Sequence, residues 1–197
     1  MIKNILICGV GGQGQLTLAK LLGEASLRCG KNVVIAETRG LSQRGGSVAV
    51  YVKVGDEVYA PLFEKADIML ALELIEAVRN IGLIAKNTLA IVNSDIIKPN
   101  IPGVKVPSKE KLIEALRKAT SNLFLVNATY EALRIGSPRS LNMVILGFLV
   151  GLNALADIGV GRECIIQEFR SSKYYRFREN IEAFKVGEEL ARNIDID

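Results

Sequence analysis

The spacing of apolar residues changes several times along the chain, and each change marks an element. Ile5-Leu6-Ile7-Cys8 is an uninterrupted apolar run, so residues 4–8 are expected to form a first, buried strand. Leu18, Leu21, Leu22 and Ala25 then recur at three- and four-residue spacing, which predicts a helix over residues 16–29 that Gly30 closes. A β-branched run at 32–37 predicts a second strand. Residues 47–54 alternate like a half-exposed strand, and Gly55-Asp56 turns the chain before Val58-Tyr59. Beyond them we expect a strand at 66–72, a helix at about 73–84, a strand at 88–92, a helix at 109–119 and a strand at 123–126.

Strands alternating with helices indicate βαβ units, hence an α/β, Rossmann-like fold whose mainly parallel sheet is flanked by helices. The segment 47–59 breaks that rhythm and is expected to add an antiparallel pair at an edge. After Gly136-Ser137-Pro138 the pattern turns helical: a nearly all-apolar helix at about 140–156, a short one near 162–169, and an amphipathic one at about 174–193. In the last, Tyr174, Phe177, Ile181 and Phe184 set one apolar stripe. No repeat or long linker divides the chain, so 1–197 reads as one domain with a helical C-terminal part from about 137.

Composition narrows the chemistry. The chain has no histidine, which removes histidine-based triads, histidine metal sites and a histidine general base together. Cys8, Cys29 and Cys164 are far apart with no C-x-x-C, so no metal or iron–sulfur site is expected, and Cys8 is expected to pack as a small hydrophobe. A net charge of +4 without a dense basic block argues against nucleic acid. Met1-Ile2-Lys3-Asn4 leads straight into the first strand, so no signal peptide is expected. The longest apolar run, 141–156, is shorter than the ~20 residues of a membrane span. A cytoplasmic protein is the expectation.

The chemistry concentrates in two loops. Gly9-Val10-Gly11-Gly12-Gln13-Gly14 joins the first strand to the first helix, and Gly9, Gly11 and Gly14 satisfy the G-x-G-x-x-G pattern. Glycines there let a ligand approach, and the helix start offers unpaired N–H groups to an anion. Gln13 is placed to contact a ligand or partner, and Glu37 stands where a ribose-binding carboxylate would be, which keeps an NAD(P)- or flavin-nucleotide-binding protein open as an alternative. The loop continues Gln15-Leu16 where a P-loop needs lysine and a hydroxyl, so an NTPase is not expected. The second loop is Glu37-Thr38-Arg39-Gly40-Leu41-Ser42-Gln43-Arg44-Gly45-Gly46-Ser47. It should lie beside the first at the carboxyl ends of the strands, with Arg39 and Arg44 available to anions. A purely structural turn and an ordinary solvated loop are the competing readings. Glu73 and Glu76 fall at a helix start, where acidic side chains favour the dipole over catalysis. Gly147 and Gly151 are spaced for close helix packing.

Both loops, with Pro61, Ala66–Glu73, Glu76–Arg79 and Pro138-Arg139-Ser140-Leu141-Asn142 through Gly147, resemble the gamma domain of the 2-oxoacid:ferredoxin oxidoreductases, and within it the beta subunits of the indolepyruvate type. The likeness runs over nearly the whole chain. It implies a non-catalytic subunit of an enzyme that oxidatively decarboxylates a 2-oxoacid, an aryl pyruvate in that type, to an acyl-CoA and reduces ferredoxin. Thiamine diphosphate and iron–sulfur clusters would then belong to a large alpha subunit, with no cofactor firmly bound and no catalytic residue in this chain. This chain would complete or cover the active site, with coenzyme A, thiamine diphosphate or the partner alone as what its two loops meet. From the residues themselves, the backbone of Gly11–Gly14 with Arg44 and Arg39 suits a phosphate of coenzyme A or a carboxylate of the partner, and the candidate binding residues are Gly9, Gly11, Gly12, Gln13, Gly14, Arg39, Ser42, Gln43, Arg44, Gly45 and Gly46. Family members often carry histidine where this chain has Arg39, so no histidine role passes to it.

Overall fold

The computed structural model describes residues 1–40, 46–98 and 106–194. It contains strands β1 (Ile2–Val10), β2 (Asn32–Arg39), β3 (Ser47–Gly55), β4 (Ile68–Ala71), β5 (Leu89–Asn93) and β6 (Asn122–Val126). The helices are α1 (Gln15–Arg28), α2 (Leu74–Arg79), α3 (Lys109–Ala119), α4 (Ala128–Arg134), α5 (Leu141–Gly151), α6 (Arg162–Ser171) and α7 (Arg178–Arg192). One six-stranded sheet runs in the order β2-β3-β1-β4-β5-β6. β1, β4, β5 and β6 are mutually parallel, while β3 is antiparallel to both β1 and β2. The α/β architecture with a helical C-terminal region is as expected.

The strand pleat sorts β1 between two cores. Ile5 and Ile7 face a cluster shared with α1, α5, α6 and α7, while Leu6 and Cys8 face a smaller one with α2 and α3. Gly30 ends α1 at φ 75°, with the Lys31 N–H returning to the Ser26 carbonyl at 3.0 Å. Helix α5 is buried from Leu141 to Val150 on every side. It meets α7 through glycines: a methyl at Gly147 would overlap the Phe184 carbonyl, and one at Gly187 the Val144 carbonyl. The Gly147/Gly151 pair therefore serves packing within the chain.

Several boundaries differ from the expectation. Residues 47–59 add no separate edge pair: β3 lies inside the sheet, and β2 takes the edge. Pairing partners are non-local, so periodicity could not order them. Residues 58–59 are not in a strand. The helix begun at Leu74 stops at Arg79, where the Asn80 amide donates to the Glu76 carbonyl at 2.8 Å, and a single 3-10 turn, Ile81–Leu83, follows. Helix α5 ends at Gly151, since Asn153 turns left-handed at φ 51°. Helix α7 begins only at Arg178, which takes Tyr174 and Phe177 out of its stripe. The short α4 was not expected. Cys29 and Cys164 are joined by a disulfide between the end of α1 and α6, with Cα atoms 6.2 Å apart across a separation of 135 residues.

Two stability predictions follow from this packing. Gly147→Ala should cost about 1–3 kcal/mol in denaturant unfolding, the range for overpacking a filled core, because backbone rather than a flexible side chain must give way. Reduction, or Cys164→Ser, should lower the unfolding free energy by roughly 2–4 kcal/mol, read as a shift in the denaturant midpoint.

Candidate functional site

At the carboxyl end of the sheet β4 stops opposite Cys8, so Val10 has no parallel neighbour. Two side-chain amides take that place. Gln13 Oε1 accepts from the Val10 N–H at 2.7 Å, and Gln15 Nε2 donates to the Val10 carbonyl at 2.8 Å. Gln13 Nε2 also donates to the Leu72 carbonyl at 3.0 Å, tying the turn to the end of β4. Gly9 is needed beneath these amides: a Cβ there would meet Gln13 Oε1 and Gln15 Nε2, each at 2.7 Å. Gln13 is thus not a free amide held out to a ligand. Its oxygen and one N–H hold the turn.

The remaining glycines serve the start of α1. Gly12 and Gly14 sit at φ 103° and 92°, conformations that favour glycine. Gly14 is the N-cap residue; no side chain caps the helix, and its first turn holds no acidic residue. The N–H groups of Gln15, Leu16 and Thr17 therefore lack intrahelical partners and present the positive end of the helix dipole. The Gly11 N–H donates to the Gly46 carbonyl at 2.8 Å, which brings the two glycine-rich loops together. Ser42, Gln43, Arg44 and Gly45 lie outside the described residues.

Two recesses flank the turn. The smaller, about 250 Å³, is lined by Gly11, Gly12, Gly14, Thr17 and Arg39 among others. Arg39 is not free there: its guanidinium pairs with Glu37 at 2.9 Å. That pair also occupies the carboxylate proposed for a ribose, and β3 separates β2 from β1, so Glu37 is not beside the glycine turn. The larger cleft, about 480 Å³, has Gly12, Gln13, Gly14 and Thr17 on one wall, Ser140, Asn142 and Met143 on a second, and Tyr174, Phe177, Glu179 and Asn180 on a third. Arg139 stands at the rim and forms no ion pair among the described residues.

Asn142, in the first turn of α5, is the decisive addition. A Cβ on Gly14 would run into its carboxamide, so glycine at 14 admits this side chain. Asn142 is only 6% exposed, yet its amide has no hydrogen-bond partner among the described residues. Its carboxamide lines the cleft and is open to a ligand there. Its neighbours in the cleft are already satisfied: Ser140 Oγ donates to Asn180 Oδ1 at 2.8 Å, and the Asn180 amide donates to the Tyr174 carbonyl at 2.9 Å. Phe177 is 59% exposed at this cleft, against the core position expected of it. Sequence reasoning passed over Asn142, Arg139 and Thr17 as binding residues. The signal for the first two was the Pro138–Asn142 signature, used there only for resemblance.

Around the cleft the polar groups are spent on architecture. Asn93 Nδ2 donates to the Leu72 carbonyl and to Thr129 Oγ1 at 2.9 and 2.8 Å, bridging β4, β5 and α4. Glu73 caps α2, accepting from the N–H groups of Glu76 and Ile97 at 2.7 and 2.9 Å. Burial pushes its carboxyl above the usual carboxylate range, while those N–H bonds pull it back. Glu76 accepts from Ser47 Oγ and pairs with Arg79 at 3.2 Å. Burial first, then the charges of Glu76 and Glu73, push the Cys8 thiol far up, so it stays protonated.

The family model for pyruvate ferredoxin/flavodoxin oxidoreductase matches residues 4–190. The chain belongs to this family. It is a gamma-type subunit of a 2-oxoacid:ferredoxin oxidoreductase, one member of a multi-subunit complex. The gamma-type subunit is 42% identical over 193 residues to indolepyruvate oxidoreductase subunit IorB of Archaeoglobus fulgidus, covering 95% of this chain and 94% of that one. Its fold is similar to the gamma subunit of the keto/oxoacid ferredoxin oxidoreductase from Geobacter sulfurreducens, with TM-score 0.71, 23% identity and coverage of 96% and 98%. It is also similar to a part of the 2-oxoglutarate:ferredoxin oxidoreductase of Magnetococcus marinus: TM-score 0.70, 21% identity, 96% of this chain and 31% of that one.

The geometry separates residues that hold the gamma-type site from one that does not. Gln13→Ala orphans the Val10 N–H and removes one donor from the Leu72 carbonyl, and should cost about 1–3 kcal/mol of stability. Asn142→Ala breaks no bond among the described residues and should cost clearly less. Denaturant unfolding of the two variants side by side checks this.

Proposed function

We propose that this chain is the companion of a large alpha subunit that carries thiamine diphosphate and iron–sulfur clusters. The complex oxidatively decarboxylates an aryl pyruvate such as indolepyruvate to an acyl-CoA and passes the electrons to ferredoxin. The identity to a subunit named for indolepyruvate, over nearly the full length of both chains, supports that substrate class. The whole of 1–197 acts as one gamma-type domain, a reading supported by the core that β1 and α1 share with α5, α6 and α7.

The observation that carries the site is that Gly14 and Thr17, at the uncapped start of α1, line one cleft with the Asn142 amide. That donor set fits coenzyme A. The uncapped helix start suits a phosphate, with Arg139 at the rim of the larger cleft and Arg39 in the smaller recess adding charge, and an amide suits the amide-rich pantetheine arm or a purine edge. Phe177 offers an exposed aromatic face beside them. The 2-oxoglutarate:ferredoxin oxidoreductase of Magnetococcus marinus is an enzyme whose structure holds coenzyme A. When bound, coenzyme A supplies the thiol that accepts the acyl group; this chain's residues hold and orient it.

Co-expression with the native large subunit, followed by aryl pyruvate-dependent ferredoxin reduction, tests the proposal. Asn142→Leu and Arg139→Ala should each raise the KM for coenzyme A about tenfold, a change of ~1.4 kcal/mol, and leave the KM for the 2-oxoacid nearly unchanged. Turnover by this chain alone, or an unchanged KM for coenzyme A in both variants, would refute it.

A further inference from the structure

The opposite flank of α1 carries a feature that the coenzyme A cleft does not use. Strand β2 lies at the edge of the sheet, and its stretch Asn32-Val33-Val34-Ile35-Ala36 contains neither proline nor charge, the charged Lys31, Glu37 and Arg39 standing at the strand's two ends. Above it runs a groove of about 530 Å³ between β2 and α1. Leu16 and Leu27 stand at its two ends, exposed by 42% and 58%, and Ile35 is exposed by 41%. Ala19 and Gly23 keep the middle shallow. Lys20 and Glu24 are the charged groups along it, 3.6 Å apart on successive turns.

We propose that this face receives a second copy of the chain, with β2 pairing antiparallel to β2 of the copy about a twofold axis near Ile35. The order along α1 makes the face complementary to its own reversed copy: apolar, small, basic, small, acidic, apolar. Laid antiparallel beside itself, α1 sets Leu16 against Leu27 of the copy and Lys20 against Glu24 of the copy. One axis can satisfy both layers, because the middle of the helix and the middle of the strand are level. A Cβ on Gly23 would lie 3.1 Å from Ile35 Cδ1 and 3.5 Å from Val33 Cγ1. The two six-stranded sheets become one continuous sheet. Each edge strand then satisfies its outward N–H and C=O groups, and the leucines close over Ile35. This is an isologous contact, in which the same patch serves both partners.

Sedimentation equilibrium of the full chain tests the proposal. The chain should sediment as a dimer at micromolar concentration. Ile35→Lys and Leu27→Glu, both at exposed positions, should shift it to a monomer that keeps the wild-type circular dichroism spectrum. Lys20→Glu should weaken association about tenfold, and adding Glu24→Lys should restore it. Ile35→Cys should give a disulfide-linked dimer on mild oxidation. A monomeric wild-type chain would overturn the proposal, as would a dimer indifferent to Ile35→Lys and Leu27→Glu. It would equally fall if the chain were monomeric and α1 and β2 gained hydrogen-exchange protection only on adding the large subunit, which would give the face to that subunit.

Discussion

Helix α5 has no polar side, and the rest of the molecule is arranged to enclose it. Each of its fully buried leucine, isoleucine, valine, methionine and phenylalanine side chains contributes about 1.5–3 kcal/mol when water is excluded. That return is realised only if the sheet, α1, α4, α6 and α7 surround the helix completely. Side chains on both partners would hold α7 too far away. Gly147 and Gly187 remove them at the closest approach, and the two backbones touch. The exception lies in the first turn, where Asn142 breaks the apolar run and reaches the cleft at Gly14.

The same enclosure gives the site its character. Position 142 is delivered by a rigid helix and position 14 by a turn clamped at Val10, so neither depends on a loop. The groups that face a ligand in the cleft are the helix start, the side-chain amides of Gln13 and Asn142, and two exposed charges of opposite sign, Arg139 and Glu179. A site of this kind recognises shape and hydrogen-bonding pattern.

Much of this was legible in the sequence, and the limits have physical causes. Helix α3 spans the residues its periodicity marks, and Gly30 ends α1 as a glycine of positive φ should. The adjacency of the two glycine-rich loops was also readable, because strand direction alone places them at one end of the sheet, and the Gly11–Gly46 hydrogen bond joins them. Strand order was not readable: β3 enters between β1 and β2 by long-range pairing that leaves no local trace. That Gln13 also holds the turn, through Val10 and Leu72, while it lines the cleft was not readable, because a polar residue in a glycine turn carries no sign of its partners. Asn142 was hidden by its surroundings, since one amide in an apolar helix resembles a tolerated interruption. The short α4 offered too few residues for a period to show.

The bond between Cys29 and Cys164 has a further consequence. Its two halves lie on α1, near the start of the chain, and on α6, near the end, so the bond cannot close until the ribosome has released most of the polypeptide. It therefore records a completed fold and cannot guide an early one. Once closed, it also joins the molecule to itself: a protease cutting any exposed segment between the two cysteines would produce fragments that remain covalently attached.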